Sequence, residues 1–304
     1  MALLSLSGDE QRILVGQLCN VLEPRTAVAL SSASNELRTA TEALLQQLRT
    51  DHEAAAALCR KVGLRSCKEL CEAKRVNWHS KGLIAADLAL LGTLVSVLPA
   101  LETLVLYEPA AGPDGVQRLA AGLGAGALPA VTELCIAGMH VGDAGASALA
   151  AALGRGALPR LKTLYLSNAA IGDAGLVALA PALRRRPALE FLDLQCNPFG
   201  DEGLSALLAP PPPAGALPPP TGVLTKLKRL DLYSTQITDA GCASLAAALG
   251  NGALPALEKL ELDGIPASAA AKAAVYEARA NLQDGESELE GEESGSESEE
   301  GEDD

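Results

Sequence analysis

Three stretches of the 304-residue chain carry residue types that bind cofactors or do chemistry, and each fails on its neighbourhood. Gly122-Leu123-Gly124-Ala125-Gly126-Ala127 formally fits the dinucleotide fingerprint. That fingerprint needs a strand running into the glycines and a helix leaving them, so that amides at the helix start face a pyrophosphate. Here the apolar spacing puts a helix before and a strand after. His52-Glu53 opens like a zinc-protease signature, but no second histidine follows at the required spacing. His52, His79 and His140 fall on separate elements, which leaves no triad, and no Gly-Lys dipeptide exists to build a P-loop. Seven cysteines (Cys19, Cys59, Cys67, Cys71, Cys135, Cys196, Cys242) include no C-x-x-C pair. An odd, dispersed set reads as free thiols in a reducing compartment. The expectation is a chain with no catalytic, cofactor or metal site, and no enzymatic activity.

The elements that surround these residues repeat. Units beginning at Leu101, Val131, Leu161, Leu189 and Leu227, with a truncated sixth at Leu257, are spaced by 30, 30, 28, 38 and 30 residues. The fifteenth position is glycine in all five full units (Gly115, Gly145, Gly175, Gly203, Gly241), and the nineteenth is leucine (Leu119, Leu149, Leu179, Leu207, Leu245). Within a unit, Leu164 and Leu166 alternate with Thr163, Tyr165 and Ser167, the two-residue period of a strand. From Asp173 the apolar residues Leu176, Leu179 and Leu183 fall three and four apart, the stripe of a helix with one buried face. Asp143, Asp173, Asp201 and Asp239 at the thirteenth position are expected to accept hydrogen bonds from the first turn of their own helix. Gly124, Gly154 and Gly250 are expected to stop the helices, with Leu-Pro steering the chain into the next strand. Each unit is therefore strand, turn, helix, turn, and units of this size stack into a solenoid.

L-x-x-L-x-L followed by a helix at this spacing resembles the leucine-rich repeat of the ribonuclease-inhibitor type, shared by Ran GTPase-activating proteins and the sensing ends of NOD-like receptors. The resemblance covers roughly residues 76 to 275. It implies an α/β solenoid, a partial horseshoe with parallel strands on the concave face and helices on the convex face. The family's ninth position often holds Asn, Cys or Thr, bonding backbone between turns. Asn197 and Thr235 comply, whereas Pro109, Met139, Ala169 and Ile265 do not, so an incomplete ladder is expected. Val76-Asn77-Trp78 with Leu83, Asp87, Leu90 and Leu94 looks like a worn unit before the first clear one, with Trp78 in the core.

Three domains are read: a helical segment 1–70, the repeats 71–280 with a proline-rich insertion 209–223, and an acidic tail 281–304. The formal charge of −14 belongs to that tail, because residues 284–304 hold 12 acids and no base, leaving 26 acids against 24 Lys and Arg elsewhere. Such a segment is too charged to fold alone and is expected to be disordered, a polyanion for basic proteins. Ser287, Ser294 and Ser296 each have Glu three residues on, the pattern of acid-directed phosphorylation. The prolines of the insertion end a helix early and make an extended surface loop. The apolar run Leu83–Val97 is 15 residues long and contains Asp87, too short for a bilayer. Met1–Leu6 is too short for a secretory leader, so a soluble protein of cytoplasm or nucleus, without membrane contact, is expected.

Residues 9 to 60 are helical by pattern, with a break at Glu23-Pro24-Arg25. The stretch Ile13 to Arg38 is similar to an F-box, which implies docking of a Skp1-like adaptor through residues 10–50 and a role as substrate receptor of a ubiquitin ligase. The opening Leu-Pro of that motif is absent, and the other reading is a helical cap over the first repeat.

The resemblance directs the third, fifth and seventh positions into the hollow. They read Thr103, Val105, Tyr107; Glu133, Cys135, Ala137; Thr163, Tyr165, Ser167; Phe191, Asp193, Gln195; Arg229, Asp231, Tyr233; Lys259, Glu261, Asp263. Four of the chain's seven aromatics stand here, and tyrosine brings contact area with a polar tip at low entropy cost. Tyr107, Tyr165, Phe191, Asp193, Arg229, Asp231, Tyr233 and Glu261 are therefore the candidate contacts for a protein partner of a monomeric scaffold. Mixed charge suits a folded protein better than nucleic acid, which needs a basic stripe. A Ran-type GTPase activator is the further alternative, on the combination of repeats and acidic tail.

Overall fold

The computed structural model describes residues 7–18, 20–208 and 224–285. The proline-rich insertion and the acidic residues from 286 onward lie outside the described residues.

Eight parallel strands follow one another in chain order: β1 (Arg75–His79), β2 (Thr103–Tyr107), β3 (Glu133–Cys135), β4 (Thr163–Tyr165), β5 (Phe191–Asp193), β6 (Arg229–Asp231), β7 (Lys259–Glu261) and β8 (Gln283–Asp284). Thr103, Glu133, Thr163, Phe191, Arg229 and Lys259 pair in one register, the alignment read from the leucines. Leu104, Leu134, Leu164, Leu192, Leu230 and Leu260 are all buried beneath the sheet, as a two-residue period requires. The worn first unit is a true one, with β1 paired along its whole length to β2 and Trp78 in the core. At the other end β8 closes the sheet, with Leu282 buried ahead of it and the Tyr276 hydroxyl 2.9 Å from Asp284 Oδ1.

Helices α5 (Ala85–Leu94), α6 (Gly112–Gly122), α7 (Gly142–Gly154), α8 (Asp173–Arg184), α9 (Asp201–Leu208), α10 (Asp239–Gly250) and α11 (Ala269–Glu277) alternate with the strands. Strands stand about 4.8 Å apart and packed helices about 8–10 Å, so the stack curves with the sheet inside. Alanine and glycine on the helices keep that spacing small. At Gly122 a Cβ would overlap the backbone of Gly92 on the neighbouring helix.

The thirteenth-position aspartates do not cap their own helices. Asp143 Oδ1 accepts from Gly172 N at 2.7 Å and Gly175 N at 3.0 Å, at the start of α8. Asp173 does the same for Gly200 and Gly203, Asp201 for Thr238, and Asp239 for Ser268. Each carboxylate thus satisfies the free amides of the next helix, where the helix dipole also favours negative charge. The opposite rim mirrors this with arginine. Arg155 donates to Ala120 O and Leu123 O at the end of α6, Arg186 to Leu153 O and Leu158 O after α7, and Arg279 to Leu249 O, Ala253 O and Leu254 O after α10.

The helix ends also differ from expectation. α7 and α10 close on Gly154 and Gly250, but α6 ends at Gly122. None of Gly124, Gly154 and Gly250 has a positive φ; the left-handed turn falls two residues later, at Gly126, Gly156 and Gly252.

Ahead of the sheet lie α1 (Gly8–Leu18), α2 (Arg25–Ser31), α3 (Asn35–Val62) and α4 (Cys67–Glu72). Pro24 precedes α2 as the pattern predicted, and a second break, missed in the sequence, ends in Ser34, whose hydroxyl caps Leu37 N at 3.1 Å. Val15, Ala27, Leu45 and Leu48 form a small core of their own. The end of α3, through Leu58, Cys59 and Val62, joins the main core beside Val76 and Trp78, and so covers the first turn.

Candidate functional site

The strands present three columns of side chains on the face opposite the leucines. Apart from Thr103, the residues of the third and seventh columns from β2 to β7 are half-buried or exposed. β1 adds Arg75, Asn77 and His79, which the repeat alignment had not carried into the set because the first unit's leucine spacing is eroded.

The aromatics are held by neighbours. Tyr107 stacks on His79 with centroids 4.4 Å apart and planes 7° from parallel. Its ring lies against Gly138, whose φ is +66° and where a Cβ would overlap the ring. Between β4 and β5, Tyr165 meets Phe191 edge to face, centroids 5.1 Å apart. The Arg229 guanidinium lies 5.2 Å above the Phe191 ring, and its Nε donates to both Asp231 oxygens at 3.0 and 3.2 Å. Tyr165, Phe191, Arg229 and Asp231 therefore form one chain of contacts across β4, β5 and β6, combining ring packing, cation–π attraction and an ion pair bridged by a bifurcated Nε–H hydrogen bond. Tyr233 is half-buried, and among the described residues no ring contact ties it to the other aromatics.

The acids differ from the exposed charges that the sequence led one to expect. Asp193, Asp231 and Glu261 occupy the fifth column on successive strands and are only 3%, 5% and 3% exposed. Burial pushes the pKa of each carboxyl above its ordinary value, against hydrogen bonds that favour the anion. Gln195 N donates to Asp193 at 3.0 Å and Asp263 N to Glu261 at 2.8 Å, and the Ser167 hydroxyl of the preceding repeat also bonds Asp193. Burial likewise raises the Tyr165 phenol and the Cys135 thiol beside them. Sequence reasoning missed the burial, although the recurrence of an acid two residues before a polar one, Asp193-Leu-Gln195 and Glu261-Leu-Asp263, is the trace of these turns.

Other chemistry is sparse. Among the described residues no group of three or more His, Cys, Asp and Glu side chains is placed to hold a metal ion, and no helix is long and apolar enough to cross a membrane. The six described cysteines are free thiols, and burial beside Cys67 pushes Cys59 up to about 12.

A family model described as Leucine Rich repeat matches residues 158–180, 187–208 and 223–246. The chain carries leucine-rich repeats. The matched segments include β4, β5 and β6 and run into α8, to the end of α9 and into α10, so they contain Tyr165, Phe191, Asp193, Arg229 and Asp231. Among solved structures, a protein of Bacteroides fragilis is 15% identical with a TM-score of 0.44, covering 76% of this chain and 69% of its own. Two internalins of Listeria monocytogenes are 14% identical: InlF with a TM-score of 0.35, covering 63% and 49%, and InlP with 0.33, covering 71% and 64%. This chain thus spans about half the length of InlF and under two thirds of InlP. Among curated proteins no sequence matches.

Proposed function

We propose that this leucine-rich repeat chain, of the ribonuclease-inhibitor type, is a non-catalytic scaffold that holds a protein partner on its concave sheet face. The supporting observation is the Tyr165–Phe191–Arg229–Asp231 chain of contacts on the sheet face opposite the leucines. In a core made almost wholly of Leu, Ala and Val, large rings that face away from it are available for contact rather than for packing. Preordered aromatic and arginine side chains are the residue types that dominate binding energy at protein interfaces, because little rotamer freedom is left to lose. Tyr107 and Tyr233 extend the face towards its seventh column, while Asp193 and Glu261 flank Asp231. Free thiols throughout the described residues support a reducing compartment, cytoplasm or nucleus.

The test is affinity capture by full-length protein with Tyr165→Ala and Phe191→Ala. Each variant is expected to weaken a captured partner by about 2 kcal/mol, roughly 30-fold, with melting nearly unchanged. A collapse of melting instead would make the rings structural and move the site elsewhere.

A second reading has its own observation. The α1–α3 segment has a separate small core and leaves Ile13 62% exposed on α1, which supports a docking role for residues 10–50 besides covering the first turn. Pull-down with a Skp1-like adaptor at micromolar concentration tests it, and absence of binding removes it. No geometry described above favours the GTPase activator.

A further inference from the structure

We infer that the occupant of the Tyr165–Asp193 part of the concave face is a lysine or arginine side chain of a partner protein, with a second basic side chain at Glu261. The inference rests on the concave-face reading above and adds the partner's chemistry.

Three relationships carry it. First, Tyr165 on β4 and Asp193 on β5 are register partners, so an aromatic wall formed by Tyr165 and Phe191 stands directly beside a carboxylate that is 3% exposed. A long basic side chain needs both parts, an apolar or aromatic wall for its stem and an anion for its head. Second, the charge on these carboxylates is unevenly balanced. Asp231 is ion-paired with Arg229 at 3.0 Å, and Asp263 with Lys272 at 3.1 Å. Among the described residues no ion pair reaches Asp193 or Glu261; Asp193 is bonded by the Gln195 amide, the Gln195 side chain and the Ser167 hydroxyl, and Glu261 by the Asp263 amide, all neutral donors. A carboxylate drawn out of water without a counter-ion is costly, and a docking cation offsets that cost. Third, Asp193 and Glu261 lie two strands apart, about 10 Å, on either side of the neutralised Asp231. Two basic side chains one to two helical turns or a few extended residues apart span that distance. Arg229 and the exposed Lys259 occupy the third column, so the cations must enter from the seventh-column side, past Gln195 and Asp263. The chain's own residues 286–304, with 11 acids and no base, have the wrong charge for this site.

A displayed library of random peptides, panned on the full-length protein, supplies the probe. Parallel pannings use Asp193→Asn/Glu261→Gln, which keeps shape and acidic tail, and Tyr165→Ala/Phe191→Ala. Peptides retained by the wild type and weakened about tenfold or more on the Asn/Gln variant should be rich in Lys and Arg. Peptides that depend on the rings without basic enrichment would sink the basic-partner inference and leave the concave face standing. Selection unaffected by either double variant would sink both. Basic peptides bound equally by the Asn/Gln variant would place their site on the acidic tail and overturn the inference. Should the Asn/Gln variant fail to fold, carbodiimide cross-linking of a selected lysine peptide to wild-type protein decides. Links at Asp193 or Glu261 support the site, and links confined to residues 286–304 refute it.

Discussion

Asp143 Oδ1 accepts a hydrogen bond from the Gly175 amide, 3.0 Å away in the next repeat, and a Cβ on Gly175 would stand 2.5 Å from that same oxygen. The aspartate at the thirteenth position and the glycine at the fifteenth are thus one device shared between neighbours. Gly203 meets Asp173 in the same way; a Cβ on Gly241 would likewise crowd Asp201, whose bond there comes from Thr238 N, whereas Gly145, preceded by Pro113 instead of aspartate, meets Val116 and Val141.

This device predicts a coupling. Asp143→Ala should cost about 1–2 kcal/mol as a lost helix cap, and Gly175→Ala about 2 kcal/mol as overpacking. In urea unfolding the double variant should be milder than the sum by about 0.5 kcal/mol or more, since removing the carboxylate makes room for the new methyl. Strict additivity would show the two positions to be independent.

Asn197 and Thr235 occupy equivalent positions and should respond differently. The Asn197 amide accepts from Ala169 N and Ile171 N and donates to Leu166 O and Leu194 O, joining two turns in a buried site. The Thr235 hydroxyl reaches only Leu232 O, in its own turn. Asn197→Ala should therefore cost about 3 kcal/mol, leaving amides orphaned, and Thr235→Ala about 1 kcal/mol, both read from denaturant midpoints.

Asp193 should give stability a reversed pH dependence. Burial raises its native pKa above the ordinary 3.8, so the folded state binds more protons through that window. Its contribution is greatest below the ordinary value and is lost as pH rises through the raised one. Asp193→Asn should then be more stable than wild type at neutral pH, by a margin that shrinks as pH falls below about 4. A margin independent of pH across urea titrations would contradict burial as the cause.

The thin aliphatic core leaves an apolar void of about 10 Å³ between the first two clear repeats, lined by Leu104, Val116, Leu119, Leu134, Ile136 and Leu149 among others. Val116→Ile adds one methyl group towards it and should raise stability by about 0.5–1 kcal/mol. Leu134→Ala enlarges it and should cost about 3 kcal/mol. Thermal melting of the pair, with the isoleucine variant less stable than wild type, would show the space to be too cramped for a methyl.

Much of the fold was legible because period and residue type encode it locally. Leu161, Leu164 and Leu166 announce a strand with one buried side, and Leu176, Leu179 and Leu183 a helix with one buried stripe, each within a few residues. The candidate face followed by subtraction, and Tyr165 and Phe191 do meet on it. The stacking partner of Tyr107 was hidden because His79 sits in a unit whose leucine pattern is worn.

What the sequence determined by itself is the unit and its register, from Leu101 to Leu257, since hydrophobic spacing acts over distances shorter than one repeat. The tertiary structure alone decided what passes between units: Asp143 capping the next helix, Arg155 and Arg279 clamping the previous one, and Asp193, Asp231 and Glu261 losing their water. Those outcomes depend on how closely one turn lies on another. That distance is set by curvature and packing summed over the stack, and no single repeat contains it.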